Sequence, residues 1–282
     1  MQLKKVEAKD FDIIYPLLEG FENSRITKDL WTNLFDIKFN NPENYAGLYL
    51  EDNGVVVGYW GLIFSKQIID GREHKFCNMS SGIVKKEYRS SGLTLIMNVA
   101  RLKGFTITNL TANKEVAAIL TKLGFEVLDT HYKLLIPTFK LSQKKYRILI
   151  NDQLPGAGLP DDILSIYNDH KHYNCCQFAI VGKNESCLAV VTIHKKKSLK
   201  FGRIHFLSHP ETFFTALKNL GIRMTSKLGL TGFMIDQRFC RAGNYGISVT
   251  KKYGQPKFFK SADITDPSKI NELYSELILL HN

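Results

Sequence analysis

Apolar positions in the first 138 residues switch repeatedly between helical and strand spacing. QLKKVE, at residues 2–7, predicts a short strand. FDIIYPLLEGF (11–21) and KDLWTNLFDIKF (28–39) carry apolar residues at helical spacing. NYAGLYLED and VVVGYWGLIFSKQII then predict strands joined at Asp52-Asn53-Gly54, a strong hairpin signal. Asp70-Gly71 turns the chain into a further strand from about His74 to Val84. In LTLIMNVARLKG, Leu95, Ile96, Val99 and Leu102 share one helical face. FTITNLTA is short and β-branched and predicts a strand. NKEVAAILTKLGF predicts a helix that Gly124 ends, and EVLDTHYKLLIPT predicts a closing strand. Strand, two helices, three antiparallel strands, helix, strand, helix, strand is an α+β order, not a strict βαβ alternation.

A cluster of Pro137, Pro155, Gly156, Gly158 and Pro160 around the strand candidate YRILI predicts a linker within 138–160. Two domains are therefore expected, 1–138 and 139–282. The second half runs helix (LPDDILSIYNDH), hairpin (QFAIVGKNESCLAVVTIH), strand (LKFGRIHFLS), helix (PETFFTALKNLG, with Pro210 at its start) and strand (LTGFMID). This blurred version of the first half's order arises without any short sequence repeat. Arg241–Gly246 reads as a Gly-rich loop. INELYSELILL is expected to be an amphipathic helix or edge element packing on the second domain.

Composition adds three constraints. At 282 residues and 44% hydrophobic, the chain has room for two cores. No apolar run reaches the roughly 18 residues of a membrane span, and MQLKKVEAKDFDII lacks a signal-like apolar stretch, so no membrane insertion and a cytoplasmic address are expected. Of the five cysteines, Cys77, Cys187 and Cys240 stand alone, and Cys175-Cys176 has no metal-ligand spacing. Reduced thiols are expected. No metal is expected either, His170 and His172 lacking a recognisable ligand set with that pair. Charge is uneven: residues 1–138 hold 17 Lys and Arg against 16 Asp and Glu, residues 139–282 hold 21 against 11. Lys195, Lys196 and Lys197, with Lys200 and Arg203, form the densest basic run. It reads either as a solvated face or as a surface for an anionic partner.

The segment VKKEYRSSGLT, residues 84–94, joins a strand to a helix through small residues. A turn entering a helix aims unpaired amides and the positive end of the helix dipole at one point, and so can cradle an anion. Arg89 can add a charge-assisted contact. The segment resembles the coenzyme A loop of the GNAT acetyltransferase superfamily: Arg or Gln, two variable residues, Gly, one residue, then Gly or Ala. Arg89 and Gly92 fill the first and fourth places. Asn113, nineteen residues past Thr94, opens a helix ending in Lys122-Leu123-Gly124-Phe125, which is similar to the family's later signature. The resemblance covers residues 1 to about 138, and the second half reads as a degenerate copy.

The resemblance implies a mixed, mostly antiparallel sheet flanked by helices, followed by a smaller domain of similar order. It implies that amides of Ser90, Ser91, Gly92, Leu93 and Thr94, with Arg89, hold the pyrophosphate of acetyl-CoA or another acyl-CoA. The backbone of Ile83 and Val84 would pair with the pantetheine arm, Gly82 would allow a bulge, and Asn113 would lie near the cofactor. Asn113 is equally an ordinary helix cap. Four features depart from the pattern, the first being Lys86 where a Pro is common. Thr94 replaces a small residue, Leu120 stands where many members carry a Tyr that protonates the leaving thiolate, and the 74–84 strand offers Asn78, Ser80 and Ser81 where a carboxylate base often sits. Ser80, Ser81 and Tyr132, with His131, are the remaining candidates for proton handling.

The function expected is N-acyl transfer from coenzyme A to an amine of a small, anionic acceptor. Nucleotide-sugars, phosphorylated sugars and acyl carrier proteins fit that description. Aminoacyl-tRNA-dependent transfer with tRNA as partner, and non-catalytic acyl-CoA sensing, are the alternatives.

Overall fold

The computed structural model describes residues 1–21, 25–36, 39, 41–137, 146–240 and 247–282. The chain divides into two compact units. The first comprises Met1–Leu128, Gln255–Ile270 and Tyr274–Asn282; the second comprises Asp129–Gly254 and Asn271–Leu273.

The first unit contains β1 (Gln2–Lys5), α1 (Phe11–Leu18), α2 (Lys28–Thr32), β2 (Gly47–Asp52), β3 (Val55–Ile69), β4 (Arg72–Val84), α3 (Gly92–Ala100), β5 (Thr106–Asn109) and α4 (Lys114–Lys122). Both predicted hairpin turns form, with positive φ at Asn53, Gly54, Asp70 and Gly71. Gly124, at φ 77°, lies just beyond α4. The predicted second helix is short, only Lys28–Thr32. Strands β1 to β4 pair antiparallel in chain order, and β5 lies parallel to β4. On one sheet face Trp60, Leu62, Phe64, Cys77, Met79 and Ile107 pack with Leu95, Val99 and Leu120 of α3 and α4.

The chain continues through β6 (Glu126–Ile136) into the second unit. There follow β7 (Arg147–Ile150), α5 (Asp161–His170), β8 (Cys176–Val181), β9 (Ser186–Lys196), β10 (Leu199–Leu207), α6 (Pro210–Leu228) and β11 (Gly232–Asp236). Last come β12 (Ile247–Lys260) and the one-turn α7 (Glu276–Leu279). Strands β7 to β10 pair antiparallel in chain order, and β11 lies parallel to β10. This repeats the pairing pattern of β1 to β5.

Each unit takes its sixth strand from elsewhere in the chain. Strand β5 pairs antiparallel with the Phe258–Lys260 end of β12, and β11 pairs antiparallel with Tyr132–Leu135 of β6. The strand following α4 thus serves the second unit, and the strand following β11 serves the first.

Several expectations are corrected here. The break expected at residue 138 falls after Leu128, because most of β6 belongs to the second unit. From Tyr146 onward the expected linker is part of that unit, with Ile148 buried in its core. Residues 138–145 and the loop expected at Arg241–Gly246 lie outside the described residues. Strand β12 was not anticipated, its stretch being broken by Lys251, Lys252, Gly254 and Pro256. The INELYSELILL segment mostly packs on the first unit, where Asn33 Nδ2 donates to the Leu279 carbonyl at 2.8 Å. Arg203 is separate from the exposed lysine run. Lys195, Lys196 and Lys197 sit exposed at the β9–β10 hairpin tip, whereas Arg203 turns inward to Glu272.

Candidate functional site

Strand β4 is paired differently on its two sides. Strand β3 accompanies it from Arg72 to Val84, but β5 pairs only with Phe76, Cys77 and Asn78. Past Asn78 and Thr108 the two parallel strands part. On the β3 side, Ser80 to Ile83 spans one residue more than Gly61 to Tyr59, which makes a β-bulge. Ser81 takes the left-handed conformation at φ 50°. Gly82 is needed for space, since a Cβ there would fall 2.6 Å from the Trp60 ring. Among the described residues no strand pairs with Met79–Val84 on the β5 side. An extended ligand bearing amides can add to such an edge as a further strand.

Beyond Val84 the chain makes a 3₁₀ turn over Lys86–Ser91 and enters α3 at Gly92. Two contacts anchor this turn. Lys85 N–H donates to the Val57 carbonyl at 2.8 Å, and Tyr88 Oη donates to Asp52 Oδ2 at 3.0 Å. Asp52 also meets the N-terminal ammonium at 3.2 Å. The Tyr88 hydroxyl, then that ammonium, hold the Asp52 carboxyl below its ordinary range, and the same bond raises the Tyr88 phenol. Tyr88 was not singled out from sequence, where nothing signalled its partner 36 residues away.

Gly92 is buried, and a Cβ on it would sit 3.2 Å from Val84 Cγ2. Its amide donates to the Arg89 carbonyl, so the expectation that every amide from Ser90 to Thr94 points at a phosphate changes at this residue. Leu93 and Thr94, both exposed, belong to the first turn of α3, whose amides an α-helix leaves without intrahelical partners. Arg89 and Ser90 are exposed and Ser91 half-buried. The loop thus presents one flexible cation and a short helix-entry surface beside the open edge of β4.

Asn113 caps α4, its Oδ1 accepting from Val116 N–H at 2.8 Å. Ser80 is buried and its Oγ lies 2.9 Å from Ser81 Oγ. Tyr132 belongs to the second unit, where its ring meets Tyr253 at 4.9 Å, and His131 Nδ1 lies 2.7 Å from Thr130 Oγ1. The two serines are therefore neighbours, and Tyr132 is not in their unit. Leu120 is fully buried in the core beneath α4.

Asn78 was named from the sequence, but the polar groups around it where β4 and β5 part, Thr108, Asn109, Thr111 and Glu276, were not. Asn109 Nδ2 donates to the Met79 carbonyl across the gap at 3.3 Å, and Asn78 Nδ2 donates to Thr108 Oγ1 at 3.2 Å. The side-chain oxygens of both asparagines are buried without a hydrogen-bond partner. Just past β5, Thr111 Oγ1 donates to Glu276 Oε1 at 2.6 Å. The runs Thr106–Asn109 and Asn78–Ser81 hinted at buried polar positions, but no local signal tied Glu276 to either.

The matching region of the second unit is built otherwise. Strands β10 and β11 pair only from Phe201 to Arg203 against Gly232 to Met234, and β10 then has its own irregularity between Ile204 and Phe206. The chain's own segment occupies this place. Glu272 N–H donates to the His205 carbonyl at 3.1 Å, and its carboxylate meets His205 Nδ1 at 2.9 Å and Arg203 at 3.4 Å. The entry to α6 has no small-residue loop, and His209 Nδ1 accepts the Thr212 amide at 3.2 Å. Among the described residues no cluster of three or more His, Cys, Asp or Glu side chains could hold a metal, and no helix is long and apolar enough to cross a membrane.

No protein-family profile matches the sequence, and no curated protein matches it. Solved structures do. A GCN5-related N-acetyltransferase from Kribbella flavida superposes with a TM-score of 0.58 at 13% identity, over 92% of this chain and 70% of that one. One from Anabaena variabilis gives 0.58 at 9% identity, over 92% and 72%. A Pyrococcus horikoshii protein gives 0.55 at 14% identity, over 100% and 95%. Sequence identity this low speaks to fold alone, and the fold of this chain is that of the GCN5-related N-acetyltransferases.

Proposed function

We propose that this protein is an acyltransferase that takes its acyl group from coenzyme A and passes it to an amine. The open edge of β4 beside the α3 entry is the observation that carries this reading. The residues present fit the cofactor. The unpaired edge over Ile83 and Val84 suits the pantetheine amides. Leu93 and Thr94, with Ser90, Ser91 and Arg89, suit the pyrophosphate, and Gly92 lets the helix start close against Val84. Coenzyme A supplies an activated acyl thioester. The protein orients it and keeps water from the parting strands, while Asn113 fixes the start of α4 alongside. The excess of basic residues after residue 138 favours an anionic acceptor, drawn in by charge. The buried Leu120 favours a second reading, a sensor that binds acyl-CoA without turning it over.

Calorimetric titration with acetyl-CoA tests the assignment. One site per chain is expected, since Glu272 and His209 already satisfy the corresponding groups of the second unit. Gly92→Val, which drives a branched side chain into Val84, should weaken binding at least about tenfold while the circular dichroism spectrum stays unchanged. Unaltered affinity in a folded Gly92→Val protein, or two sites per chain, refutes this placement.

A further inference from the structure

Acyl transfer to an amine requires that the acceptor, an ammonium at neutral pH, lose a proton before it can attack. Strand β4 offers no carboxylate at the parting of the strands. The C-terminal tail does. Glu276 lies in α7, and the tail is fixed on the first unit by Asn33 Nδ2 to the Leu279 carbonyl, by Asn282 Nδ2 to the Arg25 carbonyl, and by the edge contact of Tyr274 with Phe39. The carboxylate is only 8% exposed and receives the Thr111 hydroxyl at 2.6 Å, whereas Thr111 itself is exposed, two residues past the end of β5. A buried carboxylate holding the proton of an exposed hydroxyl leaves that hydroxyl's oxygen as the reachable proton acceptor. Asn109 supplies a second, independent sign of what binds there. Its side chain is 4% exposed, reaches across the place where β4 and β5 part to the Met79 carbonyl, and has a buried oxygen with no hydrogen-bond partner. A buried acceptor left in this state costs stability unless a donor, from water or from the N–H groups of a ligand, meets it.

We propose that Thr111 and Glu276 are the proton-accepting pair of this site, and that the Asn109 side-chain oxygen accepts a hydrogen bond from the amine that is acylated. The inference rests on the acyl-CoA reading above. The ammonium gives one proton to the Thr111 oxygen as the Thr111 hydroxyl proton passes to the Glu276 carboxylate. The freed nitrogen lone pair forms the C–N bond at the thioester carbonyl carbon, and the C–S bond breaks. The thiolate leaves and takes up the second amine proton, and Glu276 returns its proton to solvent. One amide, one thiol and one released proton result.

The test measures thiol release from acetyl-CoA with a panel of primary amines and with water alone, beside calorimetric affinity for acetyl-CoA. Glu276→Gln, nearly isosteric, and Thr111→Val should each lower turnover about a hundredfold or more, within the range for a removed general base, with acetyl-CoA affinity changed less than about twofold. Wild-type turnover should fall on the acid side as the carboxylate takes up its proton. Glu276→Gln should flatten that limb, and Glu276→Asp should restore part of both rate and limb. If one variant does not fold, the other carries the test. Binding of acetyl-CoA without wild-type turnover, or turnover and acid limb unchanged in a folded variant, overturns the pair and leaves the cofactor site standing. Failure of the wild type to bind acetyl-CoA refutes the underlying reading, and the pair with it.

Discussion

His170, at the end of α5, is fully buried, and its Nδ1 lies 2.8 Å from the Ile166 carbonyl. Burial lowers its pKa, outweighing the backbone of Ile166, the Asp169 charge and the backbone of Leu273, all of which favour the charged form. A folded-state pKa below the unfolded value of about 6.5 means that the unfolded chain binds the proton more readily. The stability from a neutral His170 is therefore complete above about pH 6.5 and is lost as pH falls toward the folded value. Urea unfolding between pH 8 and pH 5 should show that decline, and His170→Gln should make the profile flatter. A variant with the wild-type slope would assign the pH dependence elsewhere. Other single residues were partly legible from sequence. Isolated cysteine spacing matched five unbridged thiols, and burial pushes Cys175 up to about 12 and Cys176 up to about 11, which leaves them little thiolate at neutral pH. Nothing in the sequence revealed that Arg203 turns inward, because its partner Glu272 lies 69 residues away.

Among elements, those with strong local periodicity and a punctuating turn were readable. Strands β2, β3 and β4, with Asn53-Gly54 and Asp70-Gly71 between them, formed where the alternation placed them. Helix α4 was equally clear from its cap and Gly124. Strand β12 was not, because its Lys251 to Pro256 stretch has no strand alternation and its Phe258 and Phe259 find their partners only at β5 and in the first unit's core. The bulge was anticipated from Gly82, but the sequence did not show that Ser81 bears the left-handed conformation while Gly82 makes room for Trp60. At α4 the two roles of Asn113 can be separated. Asn113→Ala removes the bond to Val116 N–H and should lower stability by about 1 kcal/mol, as cap losses do. Thermal unfolding with and without acetyl-CoA reads both roles. Loss of stability with unchanged acetyl-CoA affinity makes Asn113 a cap alone, and a larger loss of affinity than of stability places it at the cofactor.

For the whole chain, the parallel element order that the sequence only blurred becomes a repeated pairing scheme, β1 to β5 and β7 to β10 with β11. The sequence could not show where each half finds its sixth strand, since a strand's partner is set by sheet pairing and not by its neighbours in the chain. A cut at residue 138 looked natural from the proline and glycine cluster. It would in fact strip β5 of β12 and remove Phe258 and Phe259, both almost fully buried. Losing large core aromatics costs about 3–5 kcal/mol each, comparable with the whole stability of a domain. Residues 1–138 expressed alone should fail to unfold cooperatively in urea. A sharp transition with full-length stability would show that β12 is dispensable.

The crossing of β6 and β12 also bears on how the protein is made. A chain leaving the ribosome presents its first 128 residues long before β12 exists, so β5 waits with one edge uncovered while more than a hundred further residues are synthesised. Completion of the amino-terminal half thus waits on translation of β12, and a ribosome that stalls before Gln255 leaves a nascent chain with an open strand edge that invites chaperones or aggregation.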